Sequence, residues 1–181
     1  MVTESRSRRA APLTALYLGF FAAIWFSWPG VNPPLGTVLV VASYLSLLVA
    51  LIGAIVAFRR SGETASVRDR AASRRYGIIV AIEFAAAGVG AAVLGLTGAG
   101  EYISVWVCLV VGAHFFPLVP VLRDRLLYPL GAALCAVAVG GLVAALATDV
   151  AADAVVGTGA GFLLFGYAAL SLLAARPFGR S

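Results

Sequence analysis

Six long apolar runs, separated by short polar segments, dominate this chain and limit what it can fold into. Hydrocarbon about 30 Å thick is crossed by about 20 helical residues, each rising 1.5 Å. Runs of about this length occur over approximately 12–28, 35–58, 76–97, 102–122, 126–147 and 154–175. They are continuous rather than alternating, which is the pattern of buried or lipid-facing helices and not of half-exposed strands. Composition agrees: 62% of the 181 residues are apolar and 12% charged, against about 45–50% and about 25% in soluble domains. A water-soluble fold of this size could not hide the excess, so it faces lipid. The expected fold is therefore all-α, a six-helix transmembrane bundle with the N-terminus and C-terminus cytoplasmic.

The expected organisation is a basic cytoplasmic tail over 1–11, a single membrane domain over 12–175 and a cytoplasmic tail over 176–181. No polar stretch approaches the roughly 50 residues of a separate soluble domain. The start of the chain, with Arg6, Arg8 and Arg9 before an apolar run, has the look of a signal peptide. However, the run continues to Trp28, beyond the 7–15 or so residues of a typical signal core, and no small-residue cleavage pattern follows. It reads as a retained first helix.

Charge sets the expected orientation. With the N-terminus inside, the N-tail, the 59–75 segment, the 123–125 turn and the C-tail are inside. They hold 3, 6, 2 and 2 arginines, which is every basic residue of the 13 in the chain. The three opposite turns hold none and carry Glu101, Asp149 and Asp153. Positive charge stays cytoplasmic in short loops, and a miscounted span would scatter arginines over both sides. Trp25, Trp28, Tyr76, Tyr102 and Tyr128 sit near the expected span ends, as interfacial aromatics do. The absence of lysine, with much Ala, Gly and Val, suggests a GC-rich bacterial genome and hence the bacterial inner membrane.

The net charge of +5 does not imply nucleic acid, because such binders gather basic residues on one face. The expected partner is the lipid bilayer. The 59–75 segment is first a solvated anchor, with anionic lipid headgroups as its alternative ligand. Cys108 and Cys135 fall in apolar runs, where cysteine behaves as a small hydrophobe. No metal cluster, cofactor motif or nucleotide loop is present in the sequence. The internal organisation reads equally as three hairpins or as a three-plus-three inverted repeat, and a homo-oligomer is compatible with so few spans.

Function must come from polar residues at membrane depth. Glu83 lies within Ile78–Ala85 and His114, the one histidine, within Val111–Pro117. A charge at that depth costs about 2.5–3.5 kcal/mol on insertion scales, and such residues normally face the bundle interior. Glu83 is eight residues from Arg75, and His114 nine from Arg123. At 1.5 Å per residue both lie roughly 12–13 Å from the inner boundary, so on adjacent antiparallel helices they would be level. Such a pair suits a proton-sensitive site, because histidine ordinarily titrates between about pH 5 and 8. A helix-packing role is the equal alternative. Pro117 and Pro120 remove donors and free the carbonyls of Ala113 and Phe116. Interrupted helices of that kind occur at membrane transport sites. Trp106, Tyr44 and Tyr167, with Ser46 and Ser171, are supporting candidates to line an interior. Gly88, Gly95, Gly140, Gly141, Gly157 and Gly161 are candidates for close helix approach. Asp149 and Asp153 read as helix-capping residues before a cation site.

The segment Gly112-Ala113-His114-Phe115-Phe116-Pro117-Leu118, with Tyr128 and Gly131 downstream, resembles a GxHFxPL pattern of small bacterial membrane proteins. That resemblance brings no activity with it, and the signatures of urea channels, small multidrug exporters and rhomboid proteases are absent. The leading expectation is a small transporter or channel with Glu83 and His114 as its site. The alternative is a non-transporting module that binds a lipid-like ligand or a partner protein. An intramembrane enzyme ranks last, since one Glu and one His without a nucleophile or metal form a thin catalytic set.

Overall fold

A computed structural model describes residues 2–61, 70–122 and 124–174, with side chains described over 11–59, 74–122 and 124–174. Six helices follow in order: α1 (Val2–Ser27), α2 (Leu35–Ser61), α3 (Arg70–Leu96), α4 (Ile103–Leu122), α5 (Leu127–Ala147) and α6 (Ala152–Ala174). A 3-10 turn, Gly100–Tyr102, precedes α4. Among the described residues there is no strand. Five of the helices, α2 to α6, are long and apolar enough to cross a membrane. The apolar part of the first, Ala11–Ser27, is shorter than those five spans.

Local sequence sets the helix ends. At the end of α3 the amide of Ala99 donates to Leu94 O at 2.8 Å and that of Gly98 to Gly95 O at 3.4 Å. Gly98 has φ +79°, a left-handed conformation that glycine adopts without steric cost, and this pair of bonds is the Schellman ending of a helix. At the start of α5 the amide of Leu126 donates to Asp124 Oδ1 at 3.0 Å, an Asx turn. Thr148 ends α5: its hydroxyl donates to Ala144 O at 2.7 Å, and its Oγ1 accepts from the amide of Val150 at 3.2 Å.

The chain divides into two compact units. One contains α1, α2 and α6 from Gly161 onward. Here α1 and α2 meet through small residues. A Cβ on Gly19 would come within 2.9 Å of Ser46 O, and one on Gly53 within 2.8 Å of Pro12 O. The Ser43 hydroxyl donates to Ala23 O across the pair at 3.1 Å. Backbone approach and interhelical hydrogen bonds of this kind replace the hydrophobic effect as the adhesive between helices in lipid. Phe26 packs edge-on against Phe162, with ring centroids 5.0 Å apart, and closes over Gly161.

The other unit contains Trp28–Val31, α3, α4, α5 and α6 as far as Ala160. Its centre is the α4–α5 contact, which buries Cys108, Gly112, Phe115, Leu118 and Val119 of α4 against Leu127, Leu130, Gly131, Leu134 and Ala138 of α5. Gly112 and Gly131 let the two backbones touch. The thiol of Cys108 donates to Leu134 O at 3.4 Å, and that of Cys135 points at Leu109 O at 4.0 Å. Val156 of α6 seats over Gly141 of α5, and Val137 of α5 over Gly159 of α6.

The expectation that Gly88, Gly95 and Gly140 serve close approach is not met, since a Cβ at any of them would meet nothing within 4 Å. Gly141 and Gly161 do abut neighbours, as expected, and Gly157 is buried. Gly112 and Gly131, named above for another reason, also do this, as do Gly19, Gly53, Gly90 and Gly159, which their place in the sequence did not single out. The tails and most of the 59–75 segment lie outside the residues with described side chains, and with them the anionic-lipid reading of that segment. Of the thirteen arginines only Arg59, Arg74, Arg75 and Arg125 have described side chains.

Candidate functional site

Glu83 on α3 and His114 on α4 are brought together. Nδ1 of His114 lies 3.0 Å from Oε2 of Glu83. The side chains are 10% and 15% exposed, respectively. The approach is off the line of a hydrogen bond, and Nδ1 has no hydrogen-bond partner. The contact is therefore an ion-pair distance without hydrogen-bond alignment. With the carboxylate ionised, protonation of the imidazole makes it an ion pair; with the imidazole neutral, the carboxylate faces a ring dipole. Neither helix supplies a second charge to the contact: the described acidic and basic residues of α3 and α4 other than this pair are Arg74 and Arg75, at the start of α3.

A second contact holds the same two helices in register. The Trp106 indole Nε1 donates to Ala86 O at 3.0 Å. Ala86 is three residues beyond Glu83, and Trp106 is eight before His114, so both contacts lie on the facing sides of one antiparallel pair. Gly90, one turn past Ala86, leaves the room the indole occupies; a Cβ there would collide with its Nε1 and Cε2. Gly90 is the residue that sequence reading missed. The available signal was its position four residues from Ala86, on the face that Glu83 begins.

The other expected site residues fall elsewhere. Pro117 and Pro120 sit on exposed positions of α4, and α4 continues unbroken through both to Leu122. Gly112, Phe115, Leu118 and Val119 make the buried side of α4. Tyr44 is 69% exposed on α2 and does not line an interior. Tyr167, on α6, is half-buried and has an interaction of its own. Both tyrosines belong to the unit that does not contain Glu83 and His114. Ser46 is fully buried and its hydroxyl donates back to Ala42 O at 2.8 Å.

Helix α3 has no fully buried residue over Arg74–Leu96. Ile78, Ile82, Phe84, Val89, Val93 and Leu96 are all exposed. Glu83 is thus the one charged residue of α3 beyond Arg75, on a largely exposed apolar helix, and its side chain is sheltered where α3 meets His114 of α4. Among the described residues no group of three or more His, Cys, Asp or Glu side chains is placed to hold a metal ion, and both cysteines are free.

The fold and this site define a class: an all-helical multi-pass membrane protein, with five helices long and apolar enough to span, carrying an ionisable pair at membrane depth. Comparisons with protein-family models, with curated proteins and with solved structures give no match.

Proposed function

We propose that the protein is a small transporter or channel of the bacterial inner membrane, with cytoplasmic termini, in which Glu83 and His114 form a proton-sensitive site. The observation that carries this reading is the 3.0 Å approach of the two ionisable side chains, across two helices that are otherwise apolar at that depth. Ionisable residues are expensive in a membrane and mark ion and proton pathways. Gain or loss of one proton by this pair would change the charge of the contact, which gives the helix pair two electrostatic states.

The orientation is supported by charge sorting. Arg74 and Arg75 start α3 and Arg125 precedes α5, whereas Glu101, Asp149 and Asp153 lie at the opposite helix ends. Positive charge is retained on the cytoplasmic side.

The exposure of α3 favours a second reading. A helix with no buried residue presents an apolar face of Ile78, Ile82, Phe84, Val89 and Val93, which suits a non-transporting module that binds a lipid-like ligand or a partner protein. Purified protein in proteoliposomes with an imposed pH gradient separates the two. Transport predicts proton-coupled flux that is lost in Glu83→Gln and strongly reduced in His114→Ala. Flux that both variants retain would remove this pair from the transport pathway. Absence of flux with every ion tested, together with lipid co-purification sensitive to Glu83→Gln, would establish the second reading.

A further inference from the structure

The three arginine-free turns meet. Trp28, from the turn after α1, lines a cavity with Gly100, Glu101 and Ser104 at the start of α4 and with Ala145 and Thr148–Asp153 between α5 and α6. The cavity has a volume of about 480 Å³, within the 300–1,000 Å³ or so of small-molecule sites. All of these residues belong to one compact unit. Three carboxylates line it, Glu101, Asp149 and Asp153, and no basic residue does. Glu101 lies beside Tyr102 in the 3-10 turn that precedes α4. Asp149 and Asp153 have no ion-pair or hydrogen-bond partner for their side chains among the described residues.

An acidic cavity alone would be a solvated rim. Ser104 makes it more than that. It is 2% exposed, it lines the cavity, and its Oγ has no hydrogen-bond partner. A buried hydroxyl without a partner is destabilising, and such orphans in a polar cavity mark the place of a missing donor or acceptor.

From this set we propose that the cavity binds a primary organic ammonium ion carrying an apolar body. The chemistry selects that class. A metal ion needs converging ligands, and the carboxylates here do not form a metal-holding group. An ammonium has three donors and no acceptor, which suits two carboxylates and a hydroxyl oxygen spread around a cavity. The apolar body is called for by Trp28, Ala145, Val150, Ala151 and Ala152 on the remaining wall. The Trp28 ring face also attracts cations. This inference stands apart from the Glu83–His114 reading and from the orientation of the chain, since it uses neither.

The test is equilibrium dialysis of radiolabelled 2-phenylethylamine against the full chain in an uncharged detergent at pH 7. The expected result is saturable binding of one amine per chain, weakened about tenfold by Asp149→Asn or Asp153→Asn and several-fold by Ser104→Ala. It should also weaken with added salt, because the partners are solvent-accessible charges. The neutral isostere 2-phenylethanol should not compete. Circular dichroism of each variant confirms that the helices persist, and the exposed Asp149 makes its substitution the one least able to disturb folding. Absence of saturable binding, equal competition by 2-phenylethanol, or undiminished affinity in the folded Asp149→Asn/Asp153→Asn double variant would each overturn the proposal.

Discussion

Gly112 of α4 and Gly131 of α5 face each other backbone to backbone: a Cβ on Gly131 would come within 2.7 Å of Gly112 O, and one on Gly112 within 3.0 Å of Gly131 O. One turn away Phe116 and Tyr128 pack with ring centroids 6.1 Å apart. Two glycines and two rings thus dock α4 on α5, and His114 is left to face α3.

Gly131→Ala should therefore destabilise the protein by about 1–3 kcal/mol, as overpacking against backbone does. Gly112→Ala should behave alike. Gly88→Ala and Gly140→Ala, which enter open space, should stay within about 0.5 kcal/mol of wild type. Thermal unfolding in detergent measures all four, and equal losses at the four sites would contradict the assigned contacts.

Breaking the Glu83–His114 contact on one side should cost more than removing it on both. His114→Ala leaves a sheltered carboxylate unpaired, a loss of about 3–5 kcal/mol for a buried pair. The double variant Glu83→Leu/His114→Phe should recover most of that loss, because an apolar pair of similar volume needs no charge compensation. A double-mutant cycle of unfolding free energies reads the coupling directly. Additive losses would show that the two side chains do not sense each other.

The Trp106 anchor gives a paired prediction. Trp106→Phe removes the indole donor to Ala86 O and should cost about 0.6 kcal/mol, the average for interhelical hydrogen bonds in membranes. Gly90→Ala should cost more, since the new methyl expels the whole ring from its place. It should also shift the tryptophan emission spectrum, which Gly88→Ala should leave alone.

Topology is checked by cysteine labelling in a Cys108→Ala/Cys135→Ala background. A cysteine at Thr148, between α5 and α6, should react with a membrane-impermeant maleimide in intact cells. One at Arg125, before α5, should react only after permeabilisation. The reverse pattern would invert the proposed orientation.

Much of the architecture was legible because each helix is written locally. The turn residues Gly98, Asp124 and Thr148 end or start helices through bonds to their own neighbours, and such bonds depend only on nearby sequence. The level of Glu83 and His114 was also legible, because rise per residue is constant and both helices are anchored at known ends. Rotation about the helix axis was not. Which glycines meet a neighbour, Gly90 and Gly112 rather than Gly88 and Gly95, depends on the azimuth at which helices dock. The chain is apolar on all sides, so no amphipathic stripe reveals that azimuth. For the same reason Tyr44 was expected inside and is found exposed, while Pro117 and Pro120 lie within an unbroken α4.

By itself, then, the sequence determined an all-helical chain with membrane-length spans and with ionisable residues rare enough to be counted one by one. Apolar length and backbone hydrogen bonding are local properties, and they require no knowledge of neighbours. Only the tertiary structure decided that the Glu83 carboxylate reaches the His114 imidazole, that Gly112 touches Gly131, and that three distant turns line one acidic cavity with Ser104. Those relations are set by how helices rotate and pack against each other, which is a sum of many weak contacts that no single segment encodes.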